Sequence, residues 1–193
     1  EIAAWRRRCR RREMGVRRPI LSGHVLDHRL GEGVAADVEG AAYPLKGTPY
    51  GITSNPFLSP IGFPCHQPPW GELTAVDLTT RSVLWKRSIG TTDGHAPFGL
   101  AFPTGVFNLG GTAVTRGGLT FVSGTIDNFL RAFDTETGAE LWRGRLPAGG
   151  QAGPMTYVSP KTGKQYVVIP AGGHVSMQTD LGDAVVAFAL PEN

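Results

Sequence analysis

The chain has 193 residues, 40% apolar and 18% charged, and its 27 glycines and 15 prolines imply many turns and short strands rather than long helices. Its net charge of +3 hides a split, because residues 1–18 hold eight arginines against Glu1 and Glu13, +6, and the remainder carries −3. The longest apolar runs, 166–171 and 184–190, are far shorter than the roughly 20 residues of a membrane helix, and no apolar segment follows the basic start as a secretory signal requires.

Residues 1–40 show no sustained hydrophobic period and read as an irregular basic extension. A basic arm on an acidic body is a pattern that contacts nucleic acid or a membrane surface. An arm that is disordered, or is not native coding sequence, explains it more simply, so no nucleic-acid partner is expected. Cys9 and Cys65 stand in unlike contexts and form no CxxC, CxxCH or zinc-type spacing, which leaves a disulfide, a haem attachment and a zinc site unsupported.

From residue 41 the character changes. Residues 47–57 and the prolines at 60, 64, 68 and 69 form a long turn-rich stretch, held down by Tyr50, Phe57, Phe63 and Trp70. Residues 71–77 then read as a strand, 78–81 as a turn and 82–87 as the partner strand. A Gly/Pro loop over 89–111 leads to strands at 112–115 and 119–123, joined by a turn at 116–118. Residues 130–142 repeat strand, turn and strand, with Asp134 and Gly138 supplying the turn chemistry. Strands at 154–158, 165–170 and 184–190 close the chain.

The two hairpins are copies. Ala75, Val76, Asp77, Thr80, Leu84, Trp85 and Lys86 recur 57 residues later as Ala132, Phe133, Asp134, Thr137, Leu141, Trp142 and Arg143. Val186, Ala187 and Phe188 align with Arg131, Ala132 and Phe133 at an offset of 55. Arg81 stands where the second copy has Gly138, so the first turn is the less ideal. Units of this period, with up to four short strands each, predict an all-β fold, a partial β-propeller. Trp85 and Trp142 are expected to pack between adjacent blades. The count is the outer two strands of one blade, one full blade and three strands of another. That is about two and a half blades where closure takes at least ~4, so the chain is expected to be the end of a longer protein.

The Ala-x-Asp-x-x-Thr-Gly-x-x-x-Trp hairpin resembles the tryptophan docking motif of the quinoprotein dehydrogenases, eight-bladed propellers that hold pyrroloquinoline quinone (PQQ). Further segments resemble the C-terminal part of the membrane-bound glucose, quinate and shikimate group: Gly47 to Gly51, Asn55 to Leu58, Pro64-Cys65, Thr125 to Ala132, Leu146 to Ala152 and Tyr166 to Ile169. The ending, Ala171-Gly172-Gly173-His174 with Gly182-Asp183 and 187–191, is most similar to the glucose dehydrogenases. The resemblance covers residues 41–193 and not 1–40.

It implies an enzyme on the periplasmic face of the inner membrane that oxidises a sugar or cyclitol hydroxyl and passes electrons through PQQ to ubiquinone. A quinate/shikimate enzyme, or a non-catalytic propeller scaffold, are the alternatives. The catalytic base, the membrane helices and the ligands of a divalent metal (calcium or magnesium) are expected upstream, so the chain alone should be inactive.

By the same resemblance Asp127 and Asn128 lie near PQQ, and His174, in a glycine-rich turn, faces the substrate, where imidazole can hydrogen-bond a sugar hydroxyl. The bland readings are a turn-capping Asp127 and a loop histidine facing water. Thr48, Tyr50 and Asn55 either line the propeller mouth or belong to a pinned loop. His24, His28, His66 and His95 receive no role. Gly149-Gly150 lacks the strand and helix of a nucleotide site.

Overall fold

The computed structural model describes residues 15–17, 43–44, 51–52, 59–60, 64–65, 67–96 and 100–189. Thr48, Tyr50, Asn55, Cys9 and most of the basic extension lie outside these. The chain divides into two compact units, Gly23–Gln67 and the remainder, Glu1–Ser22 with Pro68–Asn193. Among the described residues the regular elements are strands and one 3-10 turn, and no helix is long and apolar enough to cross a membrane.

Within Gly23–Gln67, β2 (Tyr43–Pro44) and β3 (Gly51–Ile52) pair antiparallel. The other unit holds three antiparallel sheets. The first joins β1 (Gly15–Arg17), β4 (Glu72–Asp77) and β5 (Ser82–Ser88) in that order. The second is a four-stranded meander of β6 (Thr112–Val114), β7 (Leu119–Val122), β8 (Phe129–Asp134) and β9 (Glu140–Arg145). The third contains β10 (Met155–Val158), β11 (Gln165–Ala171) and β12 (Ala184–Ala189). From residue 72 onward this is the expected sequence of two, four and three strands. In addition, β1 occupies the inner edge of β4, inside the stretch expected to be irregular.

Alternation along the central strands builds two separate cores. On β7 and β8, Leu119, Phe121, Leu130 and Ala132 face Val167, Ile169 and Ala171 of the third sheet, with Leu146 and Ala148 between them. The opposite faces send Val122 and Phe133 against Leu73, Ala75, Trp85 and Ile89 of the first. A strand covered on both sides cannot alternate apolar with polar, which is why Leu119–Val122 is buried throughout. Each sheet thus completes its neighbour's core.

Both repeated hairpins carry the same irregularity. The register slips between Ala75 and Val76 in the first and between Ala132 and Phe133 in the second. The extra residues are Leu84 and Leu141, both exposed, and Trp85 and Trp142 follow them at once. A β-bulge of this kind re-aims the next side chain. Trp85 turns inward and is 8% exposed, whereas Trp142 remains 37% exposed with one edge against Phe188, ring centres 4.9 Å apart. At the 55-residue offset, the turn that Trp142 would meet falls at 190–193, beyond the described residues. The turns themselves follow expectation. Asp134 Oδ1 accepts from the backbone N–H of Glu136 (3.0 Å) and Thr137 (2.8 Å), and Asp77 Oδ1 from Thr79 (2.8 Å).

Candidate cofactor and substrate face

In an antiparallel meander alternate connections emerge at the same end. Here the β5–β6, β7–β8, β9–β10 and β11–β12 connections gather at one end of the sheets, and direct hydrogen bonds tie them together. Every candidate residue of the described part lies in them.

Asp127, in the β7–β8 connection, is 2% exposed and points into the protein. Its Oδ2 accepts from the backbone N–H (2.7 Å) and hydroxyl (3.0 Å) of Thr91 in the β5–β6 connection. Its Oδ1 accepts from the Thr125 hydroxyl (2.5 Å) and Arg131 Nη1 (3.1 Å), and Arg131 Nη2 donates to Oδ2. Burial opposes ionisation of this carboxyl. The Arg131 hydrogen bonds and charge, with those from Thr125 and Thr91, outweigh it and hold the pKa below the ordinary 3.8. Asp127 is therefore an anchor whose lone pairs the chain's own donors already use.

Arg131 is the buried partner of Asp127 that the sequence reading missed. It lies mid-strand on β8, 2% exposed, and its guanidinium also donates to Thr125 Oγ1 (2.9 Å). Only its sequence distance from Asp127, four residues across the strand entry, hinted at the pairing. Thr91 is 36 positions away from Asp127 and carried no local signal. Next to it, His95 donates Nε2–H to the carbonyl of Ile126 (2.9 Å), so this histidine also fastens the loop holding Asp127.

Asn128 follows in the left-handed region, φ 56°, which asparagine tolerates better than most residues. Its Nδ2 donates to Asp180 Oδ2 (2.9 Å) in the β11–β12 connection, which fixes the amide's orientation. That leaves Oδ1 buried and, among the described residues, without a hydrogen-bond partner. His174 opens the 3-10 turn Val175–Met177 in the same connection. Its backbone N–H donates to Thr179 Oγ1 (2.9 Å), and its Nδ1 is likewise buried and unpartnered. Gly149 N–H donates to Asp180 O (3.1 Å) and Gly173 N–H to Gly149 O (2.8 Å), so the β9–β10 and β11–β12 connections lie backbone to backbone. Gly173, φ 73°, sits so close that a Cβ would lie 2.2 Å from Asp180 O. Only glycine fits there.

The family model of the PQQ-type glucose/ethanol/alcohol dehydrogenase β-propeller domain matches residues 25–167. The chain belongs to this family. The three sheets are blades of a partial β-propeller, as the hairpin repeat predicted. Its probable quinate dehydrogenase (quinone) relative from Xanthomonas campestris pv. juglandis is 54% identical over 84% of this chain and 21% of its own length. The quinoprotein glucose dehydrogenase of Escherichia coli K12 is 52% identical over 80% of the chain and 20% of its own length. Quinoprotein glucose dehydrogenase A of Acinetobacter calcoaceticus is 51% identical over 82% and 20%. The chain thus spans about a fifth of the length of these curated relatives.

The quinone cofactor of this family can be tested against the residues present. PQQ is a tricarboxylate with ring carbonyls and a single pyrrole N–H. Asn128 Oδ1, an unpartnered acceptor, fits the N–H donor of such a group. Asp127 offers it no free oxygen, and its Arg131 partner is equally committed. Among the described residues no group of three or more His, Cys, Asp or Glu side chains could hold a metal ion.

Proposed function

We propose that the chain forms the last blades of a PQQ-dependent dehydrogenase that oxidises a hydroxyl of a sugar, with quinate or shikimate as the alternative substrate class. The observation that carries this reading is the pair of buried, unpartnered polar atoms on Asn128 and His174, at the end of the blades where four connections converge. Buried polar groups are nearly always satisfied in a complete site. Asn128 is the residue that touches the cofactor, through Oδ1. Asp127 belongs to the cofactor site as the anchor that fixes the 123–128 loop through Arg131, Thr125 and Thr91. His174 is the substrate-side residue and binds a hydroxyl through Nδ1.

When bound, PQQ would accept the two electrons of alcohol oxidation; what this chain supplies is one edge of the pocket and the placement of the hydroxyl. The catalytic base, the calcium or magnesium ligands, the membrane anchor and the ubiquinone contact belong to other parts of the whole protein, at the periplasmic face of the inner membrane. Relatives named for glucose and for quinate match at nearly equal identity, 52% and 54%, so overall similarity does not select between the two substrates. The glucose reading rests on the ending, Ala171 to His174 with Gly182-Asp183 and 187–191.

The test is a full-length PQQ-loaded relative carrying residues 68–189 of this chain. His174→Ala should raise KM for D-glucose about tenfold, as loss of a hydrogen bond to substrate predicts, while PQQ affinity stays unchanged. An unaltered KM across sugars and quinate would remove His174 from the substrate site.

A further inference from the structure

A third buried polar atom at this face has no partner among the described residues, the side-chain nitrogen Nε2 of Gln151. Gln151 lies in the β9–β10 connection, and its position is tightly built. A Cβ on Gly149 would lie 2.3 Å from Gln151 Oε1 and 2.4 Å from Thr179 Oγ1, so the glycine lets the amide and the hydroxyl close in on the backbone. The Thr179 hydroxyl accepts from His174 N–H (2.9 Å) and donates to Gln151 Oε1 (3.4 Å). Two consequences follow. The amide's oxygen is used, so the unpartnered end of Gln151 is a donor. And one hydroxyl, that of Thr179, touches both the head of Gln151 and the backbone of His174, which binds the two residues into a single network.

We infer that Gln151 is a specificity-determining residue of the substrate site, and that with His174 it receives two adjacent hydroxyls of a polyol. This rests on the reading of His174 as substrate-side. Gln151 Nε2 can only donate, whereas His174 Nδ1 donates or accepts according to tautomer. A hydroxyl oxygen accepts from the amide, and the neighbouring hydroxyl exchanges a hydrogen bond with the imidazole. A vicinal diol meets both needs with one small, uncharged ligand. A monohydric alcohol leaves one buried group unpaired, which is costly. A carboxylate satisfies the amide but fits the imidazole only in its N–H form at that nitrogen.

The test uses the full 193-residue chain, labelled with 15N, titrated with ethylene glycol and D-glucose, and with 1-propanol and acetate as controls. The Gln151 side-chain amide and the His174 ring should shift together and saturate with one dissociation constant for the diols. Binding of 1-propanol should be at least about fivefold weaker, the cost of one unpaired buried group. Gln151→Leu, which removes the donor, and Gln151→Glu, which replaces it with an acceptor, should each weaken diol binding by a similar factor, and Gln151→Leu should narrow the gap between the diols and 1-propanol. If His174 responds and Gln151 does not, the assignment of Gln151 fails while His174 keeps its role. Equal responses to diol and monohydric alcohol would mean that water satisfies both groups, and tightest binding of acetate would mean an anion site; either overturns the inference. A spectrum without amide dispersion would contradict the loop network on which it stands.

Discussion

The indole of Trp85 donates its N–H to the carbonyl oxygen of Thr135, 2.9 Å away and fifty residues on, in the turn of the next blade. The two residues hold equivalent parts of consecutive blades together: the tryptophan of one hairpin docks on the turn of the next. Around them Arg87 Nε donates to Gly138 O (3.2 Å), and the Thr120 and Thr135 hydroxyls share a hydrogen bond (2.8 Å). Trp85→Phe keeps an aromatic ring, but it loses the indole N–H, leaves the Thr135 oxygen unpaired and opens a small void in the core, so it should cost at least about 1–3 kcal/mol. Urea unfolding of the pair measures it, and an unchanged midpoint would show that the hydrogen bond contributes nothing net.

The two hairpin turns should respond oppositely to substitution at their matching position. Gly138, φ 70°, lies under Trp85, and a Cβ there would come within 2.6 Å of the indole. Gly138→Ala is expected to destabilise by about 2 kcal/mol or more, from left-handed strain and displacement of the ring together. Arg81 holds a similar φ of 57° on an exposed turn. Arg81→Gly should therefore be neutral or stabilising by up to about 1 kcal/mol. Thermal midpoints of both variants check the contrast.

How much of this was legible beforehand differs by feature. The hairpins were, because strand alternation, the Asp77 and Asp134 turns and the 57-residue repeat are all local patterns. The bulge was not. Leu141 and Trp142 read as consecutive members of a regular strand, and only pairing shows Leu141 left over and the tryptophan redirected. Arg131 was also opaque. A charged residue between Leu130 and Ala132 looks like the solvent side of a strand, yet β8 is buried on both faces. The resemblance implies that Asp127 lies near the cofactor, whereas its inward orientation depends on Thr91 in another blade and has no local signal. Gln151 lies in the Leu146 to Ala152 segment that carries the resemblance but shows no role there, since its hydrogen bond with Thr179 spans 28 residues.

Acid should weaken the fold through Asp127. Its folded pKa lies below the ordinary 3.8, so the unfolded chain binds the proton more readily. The stabilisation is complete above about pH 5 and is lost as pH falls below the unfolded value toward the folded one. Arg131→Met leaves a buried unpaired carboxylate and should cost about 3–5 kcal/mol at pH 7. The same variant should lose the depression of the Asp127 pKa, so its stability should not fall between pH 5 and 3 through this group. Denaturant titrations at pH 7, 5 and 3 test both statements. Equal acid sensitivity in the two proteins would place the titrating group elsewhere.

The chain alone is expected not to oxidise glucose or quinate when supplied with PQQ and calcium or magnesium. Its described residues hold no metal-binding cluster, and the chain spans about a fifth of the length of its curated relatives. Dye-linked turnover by the purified 193-residue chain would show that the remaining machinery is also present within it.

The most direct measurement is PQQ titration and turnover of the full-length E. coli quinoprotein glucose dehydrogenase in which residues 68–189 replace the matching segment. The blades described here should substitute for the host's, giving PQQ binding and glucose or quinate oxidation within about tenfold of the host, a barrier difference under roughly 1.4 kcal/mol. A graft that folds, yet binds no PQQ and oxidises neither substrate, would contradict the account.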